Sequence, residues 1–215
     1  MSALRPRIFL LSPANIAGIR ASYVLGPNAD SELARRLRHE GVPLGELFSF
    51  VSSLYFRGKL AYARAFAVPP AEGTGIFVIT GTGGLLAPET IVTLDRLREI
   101  TAGDIHAQNR EYLGPLQRDC HHLFKLAGPS CDVVLLGSIA TPKYVEPLLE
   151  VFGERLLFPE QFAGRGDMSR GGLLLRCVAA GEELIYVPVL NANRHGPRRP
   201  KLAPLAPRPA KPLTQ

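Results

Sequence analysis

Residues 8–11, 76–79 and 132–136 are short stretches in which Ile, Leu, Val and Phe follow one another without alternating with polar residues. A strand with one wet face alternates, whereas a strand covered on both faces does not. These runs therefore predict the interior strands of a parallel sheet. Residues 155–158 and 184–189 read as a fourth and a fifth strand.

Helical periodicity fills the gaps. Residues 31–40 place Leu33, Ala34 and Leu37 on one side, with Asp30 as N-cap and Gly41 as the stop. Residues 44–66 form a long apolar helical region that Gly58 is expected to break in two. Residues 112–126, 144–152 and 168–180 each carry an apolar stripe. Pro147 fits a first turn, so regular helix is expected from about Tyr144. Strands alternating with helices imply βαβ crossovers. The expected fold is α/β, a three-layer sandwich around a mostly parallel sheet of four to five strands.

The formal charge is +6, which at first suggests a nucleic-acid binder. Its position argues otherwise. Residues 194–215 hold six basic residues, six prolines and no acid, which leaves nineteen charges of each sign in 1–193. The expected organisation is one α/β domain over 1–193 and a disordered, basic, Pro-rich tail over 194–215. The tail offers weak nucleic-acid contact, and the body presents no domain-wide basic face. The three cysteines form no CxxC pair, which favours a reducing, cytoplasmic setting over a disulfide framework. No metal spacing, cofactor motif, signal-like core or membrane-crossing stretch is read.

Ligands of open parallel sheets bind beyond the carboxyl ends of the strands. Those ends run into Ser12-Pro13-Ala14-Asn15, Thr80-Gly81-Thr82-Gly83-Gly84 and Gly137-Ser138-Ile139-Ala140-Thr141. Small hydroxyl residues and glycines let backbone N–H groups approach a ligand. None of these loops is a GxGxxG or GxxxxGK[ST] motif. Residues 164–172 combine four glycines with Arg165, Asp167, Ser169 and Arg170. There Asp167 either caps the following helix or acts on a ligand, and the arginines flank a helix N-terminus suited to an anion. Gly171 and Gly172 each weaken a first turn by up to ~1 kcal/mol, so a ligand or another backbone should approach there.

Arg20 is a second candidate anion clamp. Lys143 either reaches a phosphate from a helix start or snorkels along the surface. His121 and His122 fall off the apolar stripe and read as solvated, and Cys120 reads as a packed thiol. The aromatic and basic residues of 48–66 read mainly as core, with Arg57, Gly58 and Lys59 placed at the helix break to face an anion.

Residues 134–144 and 164–172 resemble a bacterial family of proteins of unknown function and about this length, over most of 7–190. No activity comes with that resemblance. Residues 79–88 are also similar to a Gly-Leu-Leu turn in small α/β proteins related to tRNA-base-modification enzymes and uracil-DNA-glycosylase-like folds. The basic-aromatic residue usual before that turn is replaced here by Gly83.

Two functions compete at this level. One is an enzyme acting on a nucleotide, nucleoside or nucleic-acid base by N-glycosidic hydrolysis or transfer, with Asp167 catalytic. In it Ser12, Asn15, Arg20, Gly83, Gly84, Ser138, Lys143, Arg165, Ser169 and Arg170 bind the ligand. The other is a non-catalytic binding module for an anionic ligand or protein partner.

Overall fold

The computed structural model describes residues 5–52, 54–71, 73–194, 196–200 and 202. The chain forms a mixed α/β fold around a six-stranded sheet. Four strands run parallel: β1 (Arg7–Leu11), β3 (Ile76–Ile79), β6 (Asp132–Leu136) and β7 (Leu156–Pro159). Short antiparallel strands close the two edges, β4 (Leu85–Leu86) against β3 and β8 (Tyr186–Pro188) against β7. The sheet order is β4-β3-β1-β6-β7-β8. The strand count exceeds the expected four to five because β4 has only two residues, too few for periodicity to register. A separate ladder pairs β2 (Val42–Pro43) with β5 (Ile91–Val92).

The continuous apolar runs are buried as their composition requires. Ile8, Phe9, Leu10 and Leu11 have no exposed surface, and Val134, Leu135 and Leu136 beside them have none. Eight α-helices connect the described strands: α1 (Ile19–Leu25), α2 (Glu32–His39), α3 (Leu44–Ser52), α4 (Leu54–Phe66), α5 (Leu94–Thr101), α6 (Arg110–Ala127), α7 (Pro142–Phe152) and α8 (Asp167–Ala180).

Several helix boundaries differ from expectation for identifiable reasons. Ser31, not Asp30, caps α2, because its hydroxyl accepts the Ala34 N–H. The 44–66 region divides between Ser52 and Leu54, and Gly58 lies inside α4. It is retained there by packing. A Cβ on Gly58 would stand 2.7 Å from the Gly171 carbonyl oxygen, and a Cβ on Gly171 would stand 2.7 Å from the Leu54 oxygen. Helices α4 and α8 therefore cross backbone to backbone. The close approach expected at Gly171 comes from another helix and not from a ligand.

Helix α7 begins at Pro142, two residues before the expected start, and Pro147 lies in its interior. A proline there cannot donate to the carbonyl four residues earlier, at Lys143. That carbonyl instead accepts the Tyr112 hydroxyl at 2.8 Å. One side chain of α6 thus satisfies the oxygen that Pro147 releases and fixes the start of α7.

Beyond the expected boundary at 193/194, residues of the 196–200 segment contact the loop before α8. Arg199 donates through Nε to the Ala163 oxygen at 3.1 Å and through its backbone N–H to the Gly164 oxygen at 3.2 Å. Residues 196–200 thus lie along the loop before α8, and 203–215 fall outside the described residues. Among the described residues no helix is long and apolar enough to cross a membrane.

Candidate functional site

From β1 the chain moves to one side to form β3, then returns past β1 to form β6 on the other side. This reversal opens a crevice at the carboxyl ends of β1 and β6, the position that open α/β sheets use for ligands. A cavity of about 510 Å³ lies there, within the size range of small-molecule sites. Ser12 and Asn15 line it from the end of β1, and Thr80 and Gly81 from the end of β3. Ser138, Lys143 and Tyr144 follow β6, Phe48 and Tyr55 come from α3 and α4, and Asp167 comes from the start of α8.

Local structure explains each placement. The Ser12 N–H donates to the Leu136 oxygen at 3.2 Å, which extends the β1–β6 ladder to the cavity floor. The Asn15 carboxamide oxygen accepts the Ala17 N–H at 2.9 Å, a local turn that leaves the residue exposed at the rim. Ser138 Oγ accepts the Ala140 N–H at 3.3 Å and shapes the turn into α7. The N-cap of α7, Thr141, provides no side-chain hydrogen bond to the first turn. Lys143 lies in that first turn, at the positive end of the helix. Lys143 extends over the Tyr144 ring at 5.1 Å.

Asp167 occupies the first position of α8, and Gly166 is the N-cap. The expected side-chain cap is not formed. The carboxylate is 67% exposed and stands 3.5 Å from Arg170.

The cavity gathers Ser12, Asn15, Ser138, Lys143 and Asp167, and it leaves the other six sequence candidates outside its lining. Gly83 and Gly84 turn away from it. Gly84 has φ +67, a left-handed conformation that suits glycine. A Cβ there would stand 2.1 Å from the Asp119 carboxylate, which accepts the Leu85 N–H at 2.9 Å. That loop is tied to α6, and only its first residues, Thr80 and Gly81, reach the cavity. Arg20 is exposed and donates to the Phe50 oxygen at 3.3 Å. Arg170 is committed to the Phe162 oxygen through Nε and Nη2, at 3.2 and 3.1 Å. Arg165 bonds the Ser169 hydroxyl at 3.1 Å and the Pro200 oxygen at 3.3 Å, on the side of α8 that faces the 196–200 segment.

His121 and His122 are exposed, and Cys120 is fully buried. Among the described residues no group of three or more His, Cys, Asp or Glu side chains could hold a metal ion.

Tyr55, in the cavity wall, was not singled out from the sequence, and Lys59, expected at a helix break facing an anion, is instead buried behind that wall. Lys59 is 1% exposed, and its ammonium donates to the Ser12 carbonyl oxygen and, at 2.8 Å, to Ser12 Oγ. The Tyr55 and Phe56 rings lie 4.5 and 5.0 Å from it. Burial pulls its pKa down to about 7, opposed by the Asp167 carboxylate and assisted by Arg170. Tyr55 is 8% exposed, and its hydroxyl lies beside Arg170 without completing a hydrogen bond. Burial raises its pKa to about 12. A signal was present in the sequence. Tyr55, Phe56, Lys59, Leu60 and Ala63 fall at helical spacing on one buried face. A lysine within such a stripe requires a partner.

The chain matches no family model, no curated protein and no solved structure.

The depressed Lys59 pKa has a consequence for stability. The unfolded chain keeps this lysine protonated up to about pH 10.5, and the folded chain only up to about pH 7. Between those values the unfolded state binds more protons, so folding stability rises with pH. The expected slope from this one group is up to about 1.4 kcal/mol per pH unit. Urea titrations between pH 6 and 9 should show the rise in the wild type and its loss in Lys59→Met. Parallel profiles for the two proteins would mean that Lys59 does not titrate as described.

Proposed function

We propose that the protein is an enzyme that takes a nucleotide, nucleoside or nucleic-acid base into the crevice beyond β1 and β6 and acts on an N-glycosidic bond. The observation that carries this reading is the arrival of Ser12, of Ser138 and Lys143, and of Asp167, from three separate segments, on one cavity. The walls supply complementary chemistry. Lys143, at the N-terminal turn of α7, suits a phosphate. The rings of Phe48, Tyr55 and Tyr144 suit a planar base. The exposed Asp167 carboxylate suits a water molecule or a sugar hydroxyl. The reading takes the sheet as the middle of three layers. Right-handed crossovers from β1 to β3 and from β3 to β6 run in opposite directions along the sheet and so belong on opposite faces.

A thermal-shift panel of the common ribonucleosides and their 5′-monophosphates tests the ligand class, because a specific ligand raises the melting temperature by mass action. The monophosphates should stabilise the protein more than the free nucleosides. Lys143→Ala should weaken monophosphate binding about tenfold or more, the size of one lost charge-assisted hydrogen bond, and leave nucleoside binding unchanged. An equal loss for both ligands would remove Lys143 from the phosphate, and no shift with any member would remove nucleotides as the ligand class.

A further inference from the structure

We infer that Ser12 and Lys59 form a proton relay to the departing group, with Ser12 touching the substrate and Lys59 acting behind it as a positioning residue; this rests on the glycosidic reading above. Lys59 is a buried amine that forms no ion pair among the described residues, and its hydrogen bonds go to Ser12. Burying a charged amine is costly, and an apolar side chain of similar volume would avoid that cost. A structural role alone leaves this placement unexplained.

The geometry supplies a direction for the proton. Ser12 lines the cavity and Lys59 does not, so a proton from Lys59 reaches the ligand through Ser12 Oγ. That oxygen accepts from Lys59 at 2.8 Å, while its own hydrogen is directed to the Leu136 oxygen at 3.4 Å, the long limit of a hydrogen bond. The hydroxyl is strongly polarised on one side and weakly held on the other. The charged and titratable groups around Lys59 are Asp167 and Arg170 on α8 and Tyr55 on its own helix. Asp167 favours the ammonium, while Arg170 and burial favour the free amine, so both forms are within reach near neutral pH.

The step balances without a redox partner. The bond between the anomeric carbon and the base nitrogen breaks, and its electron pair leaves with the base. Ser12 Oγ gives its proton to that nitrogen, and Lys59 Nζ replaces the proton on Oγ. Water adds to the anomeric carbon and loses a proton to the Asp167 carboxylate. Asp167 then releases that proton to solvent, and Lys59 is reprotonated from cavity water back through Ser12 Oγ.

The test measures base release from the ribonucleoside 5′-monophosphate panel between pH 5.5 and 9.5, with the melting temperature of each protein recorded. Wild-type kcat should fall as pH rises through about 7, where Lys59 loses its proton. Ser12→Ala and Lys59→Met should each lose about 100-fold, the scale of general acid catalysis, and lose that falling limb. Lys59→Arg keeps a positive charge beside Ser12 but cannot surrender a proton, so it should stay about as impaired as Lys59→Met and show no falling limb near pH 7. Ser12→Ala is a small truncation and carries the test if the Lys59 variants do not fold. Wild-type rate and profile in Ser12→Ala, or an unmoved limb in Lys59→Arg, would overturn the relay alone. Absence of base release by the wild type at every pH would overturn the glycosidic reading and the relay with it.

Discussion

Gly171→Ala is expected to destabilise the protein by about 2 kcal/mol, the scale of overpacking at a tight contact less the helix propensity gained. The new Cβ would stand 2.7 Å from the Leu54 oxygen and 2.8 Å from the Tyr55 Cα, and backbone atoms cannot swing aside as a side-chain end can. The two helices would have to separate. Melting should fall by roughly 4–8 °C for a chain of this size. Gly172 provides the contrast. Its added Cβ would meet only the Leu202 side chain, at 3.5 Å, so Gly172→Ala should raise stability by up to about 1 kcal/mol. Adjacent glycines in one helix therefore carry opposite expected signs. Calorimetry on both variants decides the matter, and destabilisation by the second as large as by the first would mean that helix crossing is not what selects glycine. The crossing also sets the site, because α4 carries Tyr55 and Lys59 and α8 carries Asp167.

Asp167→Asn is expected to remove at least about 100-fold of base-releasing activity, since an amide cannot take the proton of the attacking water. The folded state should hardly respond. The carboxylate is 67% exposed, caps no helix, and its pairing with Arg170 across 3.5 Å is of the exposed kind that contributes little. Melting should stay within about 1–2 °C of the wild type. A large melting loss with retained activity would make Asp167 a structural residue and favour the binding-module reading of the cavity.

The sheet was legible in the sequence where burial on both faces left no alternation, as at 76–79 and 132–136, which are strands β3 and β6. The edge strands were less so. Two-residue β4 owes its existence to pairing with β3, which local composition does not encode. The loops after the strands were readable as a site because topology alone sends them to one end of the sheet. The individual arginines were not. Arg165, Arg170 and Arg20 looked like anion ligands, but each finds carbonyl oxygens at least eight residues away, and such partners appear only after folding. Lys59 was expected to face an anion, and its burial against Ser12 was not legible for the same reason, since Ser12 lies 47 positions earlier. Gly171 announced a close approach and did not reveal what would approach.

We propose that chain segments far apart in sequence build one hollow that receives a nucleotide. Amide chemical-shift mapping with a ribonucleoside 5′-monophosphate tests it most directly. The largest shifts should cluster at Ala14, Asn15, Ser138, Lys143 and Asp167, all of which line the cavity. Shifts confined to Arg198, Arg199 and their neighbours along 196–200, with the cavity residues unmoved, would contradict it.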